Sequence, residues 1–385
     1  MNGTHSITQA QVHDYAQGLL ADCLKVKDYG KKCSAPMLIS LLLFAATRAA
    51  SLSAACRRLA GAPSDETARQ ALLATLPGQI ALERRINAAL AQPLPKTLRK
   101  RPSLVAVDLC DLPYYGQPGS KDVRRGPKKA STVRFHTYAT AFVVRKGYRF
   151  TLAATRVKAG EKLVDVLQRL LDRVSELGIR IRFLLLDRGF YAVDIVNYLK
   201  RTHRPFVMPT KHAGRKPKDP AKAKSTRRFL TWRRGGWSVH TWKGKKGRQA
   251  TVNIAVSLRS YTYRQQQRRQ VLVFAYWGFQ PSSPFWLRET YRRRFAIETS
   301  FRQVNQARIN TSTRDPLRRF LFVAIALIVR NLWAWIHLVR LATRGHVHLD
   351  VLPFVDMLHA IQKFIEVVFK CIEVFGLPKP SLART

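Results

Sequence analysis

The sequence predicts an α/β protein: a mixed sheet carrying a β-rich insertion, preceded by an all-helical N-terminal domain. Three observations carry this. Up to about residue 98 the chain is rich in Ala, Leu and Arg, with apolar residues at three-to-four spacing and almost no strand signal. From residue 103 β-branched and aromatic runs take over, first as a hairpin and then as strands separated by helical stretches, which is the order of a mixed sheet. Between about 200 and 265 alternating apolar and polar runs and a Lys/Pro/Gly-rich loop interrupt that order. The expected division is therefore 1–98 helical, 99–340 sheet-bearing with the insertion at about 200–265, and 341–385 a helical C-terminal segment.

The elements follow in order. Within SLSAACRRLAGAPSDETARQALLATL a short helix, a break at Gly61–Pro63, Ser64 as N-cap and a second short helix make helix-turn-helix grammar. The second helix would present Glu66, Arg69 and Gln70 outward, residue types that meet phosphates and base edges, although any small helical bundle shows such pairs. Pro93–Pro102 combines three prolines with four basic residues and is expected to be extended. Ser103–Leu109 reads as a strand, and RFHTYATAFVV and YRFTLAATRV as a hairpin turning at Lys146–Gly147. An amphipathic helix at Glu161–Leu177, the apolar strand RIRFLLLD ending at Asp187, and a helix from about Val193 to Lys200 come next. In the insertion, PFVMPT, FLTWRRGGWSVHTWKG and ATVNIAVSL are strand-like around a loop at Lys211–Thr226; after them QVLVFAYWG leads into a long Arg-rich helix beginning near Trp286.

Charge narrows the function. Lys and Arg number 68 against 23 Asp and Glu, a net +45 in 385 residues, while 46% hydrophobic residues supply ample core. That balance excludes an ordinary metabolic enzyme and calls for a polyanion, nucleic acid before anionic membrane. The focus is Lys200–Arg248, with 17 basic residues and one acid, Asp219. Five scattered cysteines without C-x-x-C pairing argue against a disulfide framework and a zinc site, and fit the cytoplasm, nucleoid-associated for a DNA-binding protein. No signal-peptide order opens the sequence, and Met37–Thr47 is too short an apolar run to cross a bilayer. Phe320–Val339 is long enough, but Arg330, Asn331 and His337 interrupt it, so a buried core helix is expected and no membrane partner.

Chemistry on nucleic acid needs carboxylates that hold hard divalent cations beside a phosphate. Asp108 closes VAVD and Asp187 closes FLLLD, at strand ends facing the crevice where α/β sheets bind ligands. A turn or helix-cap aspartate is the plain alternative for each. Asp111 competes with Asp108, which is preferred because the apolar alternation ends on it; Asp172 and Asp194 read as helix-surface acids, and His346, His348 and Asp350 as a polar loop. In YRRRFAIETSFRQVNQARIN, Tyr291, Arg294 and Glu298 share a helical face, where a solvated salt-bridge ladder is as good a reading as catalysis.

Taken together, an aspartate after the first strand, D-R-G-F-Y after a later apolar strand, a β-rich insertion and Y-x-x-R-x-x-x-E on a helix resemble the DDE transposases with a ribonuclease H-like core, most closely insertion-sequence family four and its relatives. The resemblance runs from about Val105 to Leu338, and its most specific parts are Asp187–Tyr191 and the Tyr291, Arg294, Glu298 triplet. It implies that Asp108, Asp187 and Glu298 bind two Mg²⁺ ions, with Mn²⁺ as a substitute, while Tyr291 and Arg294 help hold DNA phosphates. It also implies cut-and-paste transposition: hydrolysis at the terminal inverted repeats of an element, then strand transfer to target DNA, by a homodimer on double-stranded DNA. The family pattern usually has Lys seven residues after the Glu, where this chain has Asn305, flanked by Arg302 and Arg308.

Trp232, Trp237 and Trp242, with Arg233, Arg234, Lys243 and Lys245 among them, can stack on bases beside phosphate contacts or pack the insertion's own core. The resemblance implies that one insertion aromatic stacks on a flipped base. Val351–Phe375 has helical apolar periodicity suited either to the dimer contact or to packing on its own domain. The rival function is a catalytically inactive DNA-binding protein derived from such a transposase, favoured by Asn305 and opposed by the intact carboxylates.

Overall fold

The computed structural model describes residues 7–30, 32–117, 119–145, 148–212, 225–244, 247–342 and 351–375, and of Tyr148, Ala296–Glu298 and Phe375 the backbone only. Among the described residues six helices come first: α1 (Gln9–Leu24), α2 (Ala35–Thr47), α3 (Leu52–Arg58), α4 (Asp65–Thr75), α5 (Gln79–Ala91) and the single turn α6 (Thr97–Lys100). Their starts are written in side chains. Thr8 and Gln11 form a reciprocal capping box on α1, Ser51 caps α3, and Ser64 caps α4 by accepting from the Thr67 amide at 3.1 Å. The break before α4 passes through Gly61 at φ +65°, a left-handed conformation that glycine adopts without strain. The segment Pro93–Pro102, expected to be extended, instead winds into α6, because Leu98 turns inward and is buried.

Among the described residues nine strands form one sheet: β1 (Ser103–Pro113), β2 (Arg124–Lys129), β3 (Thr132–Arg145), β4 (Tyr148–Val157), β5 (Ile181–Leu186), β6 (Phe206–Pro209), β7 (Gly236–Lys243), β8 (Gln249–Tyr263) and β9 (Gln266–Trp277). β3 runs antiparallel to β1 and carries β4 and β2 on its other edge, while β1, β5 and β6 are mutually parallel neighbours. β6 belongs to this parallel core, although the sequence groups it with the insertion. From its free edge β9, β8 and β7 continue the sheet as an antiparallel meander. The insertion is thus an extension of the sheet, and part of the expected strand FLTWRRGG is a 3₁₀ turn, Thr226–Thr231.

The crossovers are helical: α7 (Leu163–Glu176) links β4 to β5, and α8 (Val193–Arg201) links β5 to β6. After the sheet come α9 (Pro284–Arg292), a 3₁₀ turn at Arg293–Phe295, α10 (Ala296–Gln306), α11 (Pro316–Val339) and α12 (Phe354–Phe375). The expected long Arg-rich helix is therefore broken at the 3₁₀ turn, which tightens the backbone between Tyr291 and Glu298.

α11 is long and apolar enough to cross a bilayer by length and composition, yet it is the core helix, lying against β4 and α5 with Phe320 through Ala334 all buried. Its polar interruptions hold the packing together. Asn331 accepts from the Thr151 amide at 2.8 Å and donates to the carbonyls of Thr151 and Leu90, tying α11 to β4 and the end of α5. Arg330 donates to the Arg149 carbonyl and Gln303, and His337 donates from Nδ1 to the Trp333 carbonyl while its Nε2 accepts from the Leu352 amide. α12 buries Phe354, Met357, Leu358, Ile361, Ile365 and Phe369 and lies on α1 and α2, so the C-terminal segment packs on its own chain. Cys23, Cys56, Cys110 and Cys371 are free thiols. His346, His348 and Asp350 lie outside the described residues.

Candidate active site

β1 runs four residues further than expected, to Pro113, because β3 pairs with it as far as Phe135. Asp108 therefore lies inside the strand, opposite Thr140, and Asp111 lies opposite Thr137. Three residues apart on a strand, the two acids point to opposite faces. Asp111 is taken up by the Thr137 hydroxyl at 2.5 Å. Asp108 looks toward the neighbouring parallel strand β5, whose last residue is followed directly by Asp187.

One guanidinium joins the two. Arg294 Nη1 donates to Asp108 Oδ2 at 2.9 Å and Nη2 to Asp187 Oδ1 at 3.1 Å, while Nε donates to the Tyr291 hydroxyl at 2.8 Å. The tyrosine passes its own proton to the Leu186 carbonyl at 3.1 Å. The 3₁₀ turn is what lets Tyr291 and Arg294, from one segment, grip two strands at once. Asp187 also caps the Arg188–Phe190 turn, its Oδ2 accepting from the Gly189 amide at 3.4 Å, the plain alternative for this residue.

The environment separates the two carboxylates. The Asp108 side chain is 16% exposed and that of Asp187 44%, so Asp187 faces solvent. Burial raises the Asp108 carboxyl above the usual range, Arg294 lowers it, and the like charge of Asp187 raises it again. Arg294 keeps its proton: burial works against it, but Tyr291, Asp108 and Asp187 together outweigh burial and hold its pKa above the ordinary arginine value. Burial likewise pushes the Tyr291 phenol up. Tyr291 and Arg294, expected at DNA phosphates, are buried and brace the carboxylates instead.

Glu298 sits in the first turn of α10, four residues after Arg294, and α10 packs across β1 with Phe301 edge-on to Phe142. Its side chain lies outside the described residues. The remaining expected residues divide by exposure. Arg302 and Asn305 are exposed on α10, and Arg308 is half-buried beside Cys110 and Tyr138. Arg69 is half-exposed and paired with Asp65 and Glu66, while Gln70 donates to Glu66. Asp194 pairs with Arg248, and Asp172 is exposed.

The insertion aromatics sort by strand alternation. Trp242 stacks on Tyr191 at 4.5 Å and 12°, and Trp232 lies edge-on to Phe229 and covers Gly236, where a Cβ would come within 2.9 Å of its ring. Both pack inward. Trp237 points to the other face and is 41% exposed, and Arg233, Arg234 and Lys243 are exposed; Lys245 lies outside the described residues.

Two groups are missing from the sequence reading. Arg188 and Tyr291 line a cavity of about 600 Å³ with Arg259, Arg288 and Arg292, under the root of the β8–β9 hairpin. Lys211 donates to the Gly189 carbonyl at 3.2 Å, fixing the turn that carries Asp187. The D-R-G-F-Y text pointed to the first; nothing local in the sequence pointed to Lys211.

Comparison with known families decides the assignment: the transposase DDE domain family matches residues 99–332. The chain belongs to that family. The matched span runs from just before β1 into α11 and so contains the whole DDE sheet with both aspartates, Arg294 and α10. Among solved structures, the chain resembles a piggyBac transposase in a synaptic complex with hairpin DNA, at 10% identity and a TM-score of 0.52, over 98% of this chain and 84% of that one. At that identity the likeness is one of fold, and the mixed sheet with helical N-terminal region is ribonuclease H-like. No curated protein matches the chain.

Proposed function

We propose that this DDE protein is a cut-and-paste DNA transposase. The observation that carries the reading is the convergence of Asp108 from β1 and Asp187 from the end of β5 on Arg294, with Glu298 one helical turn further along. The carboxylates fit a divalent cation: each gives Arg294 one oxygen only, the other meeting a backbone amide, and burial, with the like charge of Asp187, raises the Asp108 carboxyl in a way that a cation would relieve. Asp108, Asp187 and Glu298 would hold two Mg²⁺ ions, or Mn²⁺. Such ions supply charge neutralisation at the phosphate and easier deprotonation of the attacking hydroxyl.

The chain's own residues do the rest. Tyr291 and Arg294 fix the carboxylates before DNA arrives, so little reorganisation is left for the reaction. Basic groups at the rim, Arg188 and Lys211 nearest to Asp187, draw the phosphates toward the site. Hydrolysis then frees a 3′-hydroxyl at each element end, and transesterification joins it to target DNA, with a homodimer holding two ends. Trp237, edge-on to Tyr276 with its other side exposed, is the insertion tryptophan we assign to meet a base.

A second reading, a DNA-binding derivative without catalysis, rests on Asn305, exposed where the family usually has lysine. Asp187→Asn separates the two: transposition predicts loss of Mg²⁺-dependent cleavage of DNA carrying the flanking terminal repeats, with binding nearly intact. A wild-type protein that binds those ends and never cuts them supports the second reading.

A further inference from the structure

We propose that the free end of the β8–β9 hairpin is a DNA-groove probe, an inference that rests on the transposase reading and adds a contact surface to it. β8 and β9 pair without interruption from Asn253–Tyr276 out to Tyr263–Gln266. Arg264 and Gln265 close the turn at φ +47° and +62°. Both residues in the left-handed region make the tight turn whose twist matches two long strands. On β8 the residues from Arg259 to Tyr263 are all exposed, as are Gln266–Gln270 on β9, so this end of the ribbon projects from the sheet, tied near its root where Arg269 donates to the Arg233 carbonyl.

Its chemistry is uniform. Between Arg259 and Arg269 stand four arginines, two tyrosines and otherwise Gln, Ser and Thr, and no acid occurs anywhere from 220 to 288. The aromatics are already dressed with guanidinium groups: Arg259 lies 5.8 Å from the Tyr261 ring, and Arg264 and Arg268 lie 5.5 and 4.9 Å from that of Tyr263. Stacking of this kind holds the cations extended along the ribbon without neutralising them. A two-stranded ribbon fits the B-DNA major groove, about 12 Å wide. Uncharged Gln and Thr at the tip reach base edges, and the flanking arginines meet phosphates on either side.

The ribbon's root connects it to the chemistry. Arg259 and Gln270 form one wall of the 600 Å³ cavity whose other walls bring Arg188, Arg288, Arg292 and Tyr291. Arg188 directly follows Asp187 in the chain, so a line of positive charge leads from the carboxylates to the ribbon. Five residues from Arg259 to Arg264 span roughly 17 Å at ~3.4 Å each, about half a turn of DNA. The duplex beside the scissile phosphate is therefore the part that the ribbon grips.

The test replaces Arg264, Arg268 and Arg269, away from the cavity, by Gln, and separately Tyr261 and Tyr263 by Ser, in the full chain. Binding to a random-sequence duplex of three helical turns, to a single strand of the same length, and to the duplex carrying bulky major-groove substituents is measured against salt, with melting and Mg²⁺-dependent cleavage at saturating DNA as parallel readouts. The proposal expects the arginine variant to lose up to ~2.7 from the salt slope on duplex, at up to ~0.9 per phosphate contact. It also expects groove substituents to weaken wild type and not the variants, with cleavage at saturation and melting both retained. Unchanged duplex binding, insensitivity of wild type to groove substituents, or equal losses on single strands would overturn it. Failure of the transposase reading looks different: wild type then binds duplex through the ribbon and does not cleave.

Discussion

At the scale of single residues the site is a balance between burial and charge. Burial raises the Asp108 carboxyl against the pull of Arg294 and the Leu109 amide, and its raised pKa has a definite sign for pH dependence. An acid whose folded pKa lies above its unfolded one contributes stability that is present below the unfolded value and lost as pH rises through the folded one. Asp108→Asn should therefore leave Tm at pH 7 unchanged or higher while abolishing cleavage. A lowered Tm together with full activity would contradict both statements. His136 behaves in the opposite sense. Burial, then Arg319, pushes its imidazole from 6.5 down to about 4, with Asp122 opposing and Arg156 assisting. Stability from a depressed histidine is full above the unfolded pKa and falls as pH drops from about 6.5 toward 4. In His136→Phe that part of the Tm-versus-pH curve should be flatter; an identical curve would remove His136 from the account.

At the scale of elements, polar groups placed inside apolar helices specify the packing. Asn331 satisfies three buried backbone groups on two other elements. Asn331→Ala should cost at least ~3 kcal/mol, since each buried group left unpaired costs about 1–3; chemical denaturation showing a loss below ~1 kcal/mol would mean that α11 docks by apolar contacts alone. How much of this was legible in the sequence follows element by element. The strand RIRFLLLD, the helices α7 and α8 and the Ser64 cap are local signals and stand where periodicity and capping put them. Long-range pairing is not local. β1 extends past Asp108 because β3 offers it partners, Leu98 pulls a proline-rich linker into a helical turn, and β8–β9 runs on through polar text that has no strand pattern of its own. In the site, Asp108 and Asp187 were legible as acids closing apolar runs. That Tyr291 and Arg294 turn inward to clasp them was not, because their partners lie more than a hundred positions away.

At the scale of the whole molecule, a net charge of +45 is organised rather than diffuse. The sheet's core ends at β6, and the meander beyond it carries the exposed Arg233, Arg234 and Lys243 on or beside its edge strand β7. Neutralising these three together should flatten the salt dependence of DNA affinity by up to ~2.7, at ~0.9 per phosphate contact, with melting unchanged. An unchanged slope would put the DNA on another face, such as that of α4, where Arg69 is exposed. The central claim is that Asp108, Asp187 and Glu298 form one centre for phosphoryl transfer, and its most direct test is strand transfer by Glu298→Gln. The measurement joins pre-cut element ends bearing free 3′-hydroxyls to target DNA in Mg²⁺, alongside thermal melting of the same preparation. The account predicts a protein that melts like wild type, binds the ends and joins none of them, because a neutral amide is a poor ligand for a hard cation. A folded Glu298→Gln protein that joins ends at the wild-type rate would contradict it.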